Sequence, residues 1–374
     1  MNNSIVDNGN KSFDSLLSKE DTKILKGIAI ILMLIHHLWT FSDRLPGTLN
    51  CISGIVVDES LSILGDFGKI CVAMFAFLGG YGKYCKYGNR PVNIVREIYG
   101  IYKRYWRVFL IFIPIGFLFF SNQTPYCLCE QINDRFAAFS MKELMLNFFG
   151  LESTYNWEWW FLFTYIICVM LFPFMKRMVE QQSILVNLTL MILFQLVIML
   201  LAIVTASDFP MVEDWFRCRL PCVVCFYCGV IVSRYGLYSK IYSYVIKLRV
   251  KPLIGMIAFA IVFLLRYFCH NSSLDFLFAS ILIIVYKIII DSYKPIRKPL
   301  EILGKHSTNM WLVHTFFCYY FGVVAKSIVF FRWAVPALVV LIAYSLIASI
   351  LIDFIWKYVD RIGSKIRLWF VNVQ

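Results

Sequence analysis

The apolar residues of this chain are gathered into long unbroken runs, and that arrangement limits the available folds more than any single motif does. Ten runs can be marked, at about 24–41, 61–83, 105–121, 157–175, 184–206, 217–233, 252–269, 274–291, 308–330 and 333–356. Each has roughly the 17–25 residues that carry a helix across a bilayer. None alternates polar with apolar as a membrane strand does, and hydrocarbon admits only helices or closed barrels. Composition agrees: 60% of the residues are hydrophobic and 16% charged, against about 45–50% and about 25% in soluble domains. The sequence predicts an all-α, polytopic membrane protein of about ten transmembrane helices.

Its charges predict an orientation. The net charge is +13, but the basic residues do not gather on a soluble, aromatic-rich module, so nucleic acid is excluded as a partner. They occupy alternate loops. With the N-terminus inside, 25 Lys and Arg fall on the cytoplasmic side. Five fall outside: Arg44, Arg135, Lys142, Lys326 and Arg332. This asymmetry follows the positive-inside rule and puts both termini in the cytoplasm. Residues 1–22 read as a polar, disordered tail, 23–356 as one membrane domain and 357–374 as a basic cytoplasmic tail. The first run lacks a small-residue cleavage site and reads as a retained span. Arg266 and Lys287, inside or near spans, read as snorkelling side chains or as the lining of a polar cavity. The chain has twelve cysteines. Cys222, Cys225 and Cys228 share one helical face with no fourth ligand nearby, so they read as small packing residues and no metal is expected.

Three stretches can carry chemistry. In LKGIAIILMLIHHLWTF (25–41), Lys26 and His37 lie eleven positions apart, within about 20° of three full turns, and so on one helical face. The geometry suits a cationic grip at the inner surface and a base about 16 Å deeper, halfway or more through the membrane. Neutral imidazole is a workable general base, although a membrane histidine can equally hydrogen-bond a neighbouring helix. His36, about 100° away, reads as a helper or a packing residue. In NWEWWFLFTYIICVMLFP (156–173), Glu158 stands among tryptophans at the outer start of a span; it could pair with a buried base or contact a sugar. Trp157 and Trp160 read either as an interfacial belt or as faces for carbohydrate stacking. In YKRYWRVFLIFIP (102–114), Lys103, Arg104 and Arg107 are ordinary anchors or phosphate donors.

Taken in order, these stretches and three others resemble the acyltransferase family 3 membrane proteins. Lys26, ten intervening residues and His37 match a family opening of Arg-x10-His, with Lys in place of Arg. FAFLGGYG (75–82), KRYWRVFLIFIP, NWEWWFLFTYIICVMLFP, RLPCVVCFYCGVIV (219–232) and LGKHSTNMWLVHTFF (303–317) match later segments. The resemblance is to members without a C-terminal SGNH domain. It implies an O-acetyltransferase of the cell membrane, in a bacterial plasma membrane. Such an enzyme moves an acyl group from cytoplasmic acetyl-CoA, or another short acyl-CoA, to a hydroxyl of an envelope carbohydrate or lipid-linked glycan. His37 would be catalytic, with His36 and Glu158 beside it. Lys26, Lys103, Arg104 and Arg107 would meet the CoA phosphates. Trp157, Trp160, Arg217, Arg219 and His314 would face the acceptor. The other reading of the same ionisable residues is a transporter or glycan flippase. The two halves show no internal similarity, and acids inside the spans are scarce, which favours the enzyme.

Overall fold

The computed structural model describes residues 16–49, 58–205, 210–248, 251–269 and 272–373, and these residues are helical throughout, with no strand among them. In chain order the helices are α1 (Lys19–Thr40), α2 (Asp58–Gly68), α3 (Cys71–Tyr87), α4 (Ile94–Phe119), α5 (Glu130–Asn133), α6 (Met141–Phe148), α7 (Trp160–Gln181), α8 (Ile184–Thr205), α9 (Pro210–Asp214), α10 (Leu220–Tyr235), α11 (Leu237–Val245), α12 (Lys251–Cys269), α13 (Asp275–Ser292), α14 (Arg297–Thr315), α15 (Gly322–Ile328) and α16 (Ala334–Val373). Eight helical stretches among the described residues are long and apolar enough to cross a bilayer. The protein is an all-α polytopic membrane protein. Of the two remaining expected runs, 105–121 lies mostly in α4. The run at 308–330 is interrupted, because α14 passes into a π-turn (Phe316–Tyr320) before α15 begins.

The helix starts earlier than the apolar pattern suggests. Ser18 and Asp21 form a reciprocal cap, with the Asp21 amide donating to Ser18 Oγ (3.0 Å) and the Ser18 amide to Asp21 Oδ2 (3.1 Å). This satisfies amides that a helix start leaves unpaired, so residues 19–22 are the first turn of α1 rather than part of a disordered tail. Residues 1–15 lie outside the described residues. At the other end, α16 carries the basic segment after 356 on as helix to Val373.

The chain divides into two compact units, each assembled from three segments. The first comprises residues 1–29, 70–98 and 164–301. Its centre is the crossing of α3 and α10, which approach until their backbones touch. A β-carbon added at Gly80 would lie 1.9 Å from the Phe226 carbonyl oxygen, and one at Gly229 would lie 2.1 Å from that of Phe77. Small residues permit this approach where lipid supplies no hydrophobic drive between helices. It is also the physical content of the GGYG and CFYCG segments. Cys222, Cys225 and Cys228 are buried there as free thiols, as are the other described cysteines that the core encloses.

Charges in this unit are paired within it. Arg266 grips Asp275 through Nε (2.8 Å) and Nη2 (3.2 Å), and Lys287 lies 2.6 Å from Asp291 and 3.4 Å from Asp21. Neither cation snorkels; each has an acid that sequence spacing alone does not reveal. Glu97 accepts from Lys83, Lys86 and Tyr87. Burial works to raise its pKa, but these three donors win and hold the carboxyl at about 2.

The second unit comprises residues 30–69, 99–163 and 302–374. Tyr102, Tyr105 and Trp106, spaced along one face of α4, donate to the carbonyls of Phe149, Asn147 and Phe148 at the end of α6. Those are the carbonyls a helix end leaves unsatisfied. The reentrant 122–156 region is thereby tied to α4, and it delivers the Asn156–Trp160 segment to the core of this unit.

Candidate functional site

His37 sits in the last turn of α1, three residues before Thr40. It is therefore near the far end of the helix, beyond the halfway depth that the sequence suggested. Its backbone carbonyl, freed by the helix end, accepts from the Tyr319 hydroxyl. His36 points elsewhere. Its Nδ1–H donates to the Gly65 carbonyl of α2 (2.9 Å), with Thr40 Oγ1 at 3.1 Å. The neighbouring imidazole thus fixes α1 against α2, while its ring stays 4.9 Å from that of His37.

Glu158 reaches the same place from α7. A 3₁₀ turn, Trp157–Trp159, precedes that helix, and Asn156 caps it by accepting from the Glu158 amide (3.2 Å). Asn156 itself is anchored by its Nδ2–H to Thr315 Oγ1 (2.7 Å). Two indoles cross-link this turn to α14: Trp311 Nε1–H donates to the Glu158 carbonyl (3.2 Å) and Trp159 Nε1–H to the Leu312 carbonyl (3.0 Å). So held, the Glu158 side chain is only 7% exposed. Its Oε1 lies 3.6 Å from His37 Nδ1 and 3.5 Å from Arg44 Nη1, and its Oε2 accepts from Tyr320 (3.1 Å). His37 Nδ1 is buried and makes no other hydrogen bond.

A third imidazole completes the cluster. The rings of His314 and His37 are 4.9 Å apart. His314 Nδ1–H donates to the Trp311 carbonyl (2.7 Å), which fixes the tautomer and leaves Nε2 as an acceptor. That Nε2 is buried without a partner. The arrangement can hold a neutral imidazole beside a carboxylate and stabilise it when it takes up a proton, with a second imidazole acceptor next to it.

Four contributors had gone unrecognised in the sequence. Arg44 and Arg135 had only been counted among the few outer cations; that scarcity was the one available signal. The Arg44 guanidinium carbon packs 3.9 Å from the Phe41 ring centroid and 5.0 Å from that of Trp157, and Arg135 packs 4.2 Å from Trp157 and 4.9 Å from Tyr320. Tyr319 and Tyr320 stand on the π-turn after α14, a local geometry that no helical periodicity announces.

The other expected residues fall elsewhere. Trp157 joins the cluster; Trp160 packs edge-on against Phe161. Arg217 and Arg219 belong to the first unit and are paired with Glu213 (2.8 Å) and Asp214 (2.7 Å). Lys103 and Arg107 share Asp360 of α16, at 3.4 and 2.5 Å, while Arg104 is exposed on the same helix. Lys26 lies on α1 in the first unit. Beside it, Gly27 touches α14: an added β-carbon would meet the Leu300 carbonyl oxygen at 2.1 Å. No cluster of His, Cys, Asp or Glu suited to a metal ion occurs among the described residues.

Comparison with known proteins gives one decisive result. The model of a family described as "Acyltransferase domain" matches residues 21–354. No curated protein and no solved structure shows significant similarity to the chain. The match covers most of the sequence, including His36, His37, Arg44, Arg135, Glu158 and His314, and the chain belongs to acyltransferase family 3 as a multi-pass membrane acyltransferase.

Proposed function

We propose that the protein is an O-acetyltransferase that moves an acetyl group from cytoplasmic acetyl-CoA to a hydroxyl of an envelope carbohydrate, with His37 as general base. The observation that carries this reading is the buried pair of His37 Nδ1 and Glu158 Oε1 at 3.6 Å. With Nδ1–H turned toward the carboxylate, Nε2 keeps its lone pair for the acceptor hydroxyl. As that proton arrives, Glu158 stabilises the imidazolium, the division of labour familiar from Ser-His-Asp catalysis. Arg44 and Tyr320 hold the carboxylate in place. His36 acts as a positioning residue through Gly65, and His314 Nε2 offers an acceptor to the bound carbohydrate. Atoms balance simply: the hydroxyl oxygen forms a bond to the thioester carbon, the C–S bond breaks, and the hydroxyl proton leaves through His37 to the departing CoA thiolate.

The acyl-CoA assignment draws support from Lys103, Arg104 and Arg107, three cations on one helix of the same unit. The positive-inside charge distribution puts these residues and Lys26 on the cytoplasmic side and the His37 end of α1 on the other. The Asp360 contacts of Lys103 and Arg107 are partly exposed and weak enough for a phosphate to displace. The test is acetyl-CoA turnover by the full chain reconstituted in lipid. His37→Ala should abolish transfer, and His36→Ala should leave a measurable fraction. Equal activity of wild type and His37→Ala would refute the assignment of the base.

A further inference from the structure

Arg135 is the one member of the cluster whose hydrogen-bonding capacity is largely unused. Its Nη1–H donates to the Thr154 carbonyl. Its Nε and Nη2 are shut off from solvent and have no partner. These two nitrogens form one edge of the guanidinium, the edge whose parallel N–H bonds match two oxygens of a carboxylate or phosphate. Stacking on Trp157 and Tyr320 supplies a cation–π contact but satisfies neither N–H. Donors on a charged group left buried and unpaired are costly, and an anion that supplies both oxygens removes that cost.

Charge points the same way. Glu158 contributes −1, and Arg44 and Arg135 contribute +2, so the group carries one surplus positive charge when the histidines are neutral. Arg44 has its carboxylate, Glu158, at 3.5 Å; Arg135 has none among the described residues. Tyr320 links the two regions. Its hydroxyl accepts from the Trp157 amide (3.1 Å) and donates to Glu158 Oε2 (3.1 Å), while its ring faces Arg135. An anion on Arg135 would thus stand one aromatic ring away from the carboxylate that serves His37, about the width of a sugar residue. The indole of Trp157 flanks that interval.

We propose that the acceptor is anionic: a carbohydrate bearing a carboxylate or phosphate that the Nε–Nη2 edge of Arg135 takes bidentately, so that a hydroxyl on the same or the adjacent sugar is presented to His37. This rests on the acyl-transfer reading above. It assigns Arg135 to acceptor specificity and leaves proton transfer to His37 and Glu158.

The experiment uses the full chain in nanodiscs of zwitterionic lipid, with acetyl-CoA and three probes: a methyl glucuronoside, glucose 1-phosphate and the neutral methyl glucoside. The quantity read is kcat/KM for each anionic probe divided by that for the neutral one. Wild type should favour at least one anionic probe by about 10- to 100-fold, the range that hydrogen bonds to charged groups provide. The glucuronoside and phosphate arms identify which anion is preferred. Arg135→Gln should bring the ratio toward one, and Arg135→Lys, which keeps the charge but loses the fork, should fall between. Binding of the same probes to the His37→Ala protein by equilibrium dialysis should show the same order without turnover. A wild-type ratio near one, or a ratio that Arg135→Gln does not change, would overturn the proposal. So would an Arg135 effect that follows added phosphatidylglycerol rather than the acceptor. Wild type that consumes acetyl-CoA without preferring an anion refutes this inference alone; wild type that consumes none refutes the acetyl-CoA reading and the inference with it.

Discussion

Replacing Glu158 with Gln tests the centre of the argument, because it removes one charge and almost no volume. Oε1 of Glu158 lies 3.6 Å from His37 Nδ1. At an effective dielectric constant near 20, a full carboxylate attracts an imidazolium at that distance by about 4–5 kcal/mol. Arg44, at 3.5 Å from the same oxygen, draws off part of that field. The loss in transition-state stabilisation is therefore about 2–4 kcal/mol, or between about 30- and 1000-fold in rate. The loss should fall on kcat, with the KM for acyl-CoA little changed, because the proton reaches His37 only as the acceptor attacks. Turnover is best followed as CoA released, by chromatography; a thiol dye would also report the twelve cysteines of the chain. Glu158→Gln protein that is folded and retains more than about a fifth of wild-type kcat would refute a charge-stabilised imidazolium, and with it the assigned role of the pair.

Two further expectations concern the scaffold. Gly80→Ala places a methyl group where the Phe226 carbonyl oxygen is 1.9 Å away, so α3 and α10 must separate; the thermal midpoint in detergent should fall by several degrees, and an unchanged midpoint would mean that the crossing is not close-packed. Glu97 has its folded pKa pushed down to about 2 from an ordinary value near 4.5. Its stabilising contribution is complete above about pH 4.5 and is lost as pH falls toward 2, so the midpoint difference between wild type and Glu97→Gln should be constant from pH 7 to about 5.5 and shrink below 4.5. A difference that instead grows on acidification would contradict the ion-pair account.

The parts of this molecule that were legible in its sequence are those on which the bilayer leaves little choice. A helix must supply about twenty apolar residues, so the spans can be read directly. An ionisable group placed among them must have a purpose, and so His37 and Glu158 stand out. Legibility fails where a partner comes from another helix. Arg266 and Lys287 looked like snorkelling side chains because Asp275, Asp21 and Asp291 become their neighbours only on folding. It fails again in loops. Arg44 and Arg135 carry no periodicity, and what gives them meaning is the indole of Trp157 that both approach.

The π-turn at Phe316–Tyr320 has a consequence for how this sequence can vary. A π-turn holds one residue more than the α-helical turn it replaces. Removing a single residue from this turn would return the segment to α geometry and rotate everything beyond it by about 100°. Tyr319 would leave the His37 carbonyl and Tyr320 would leave Glu158, although every side chain of the cluster would still be present. The five-residue interval from His314 to Tyr319 is thus a measure of length that matters as much as the identity of either residue. A homologue with the same tyrosines at a spacing of four would have kept the letters and lost the site.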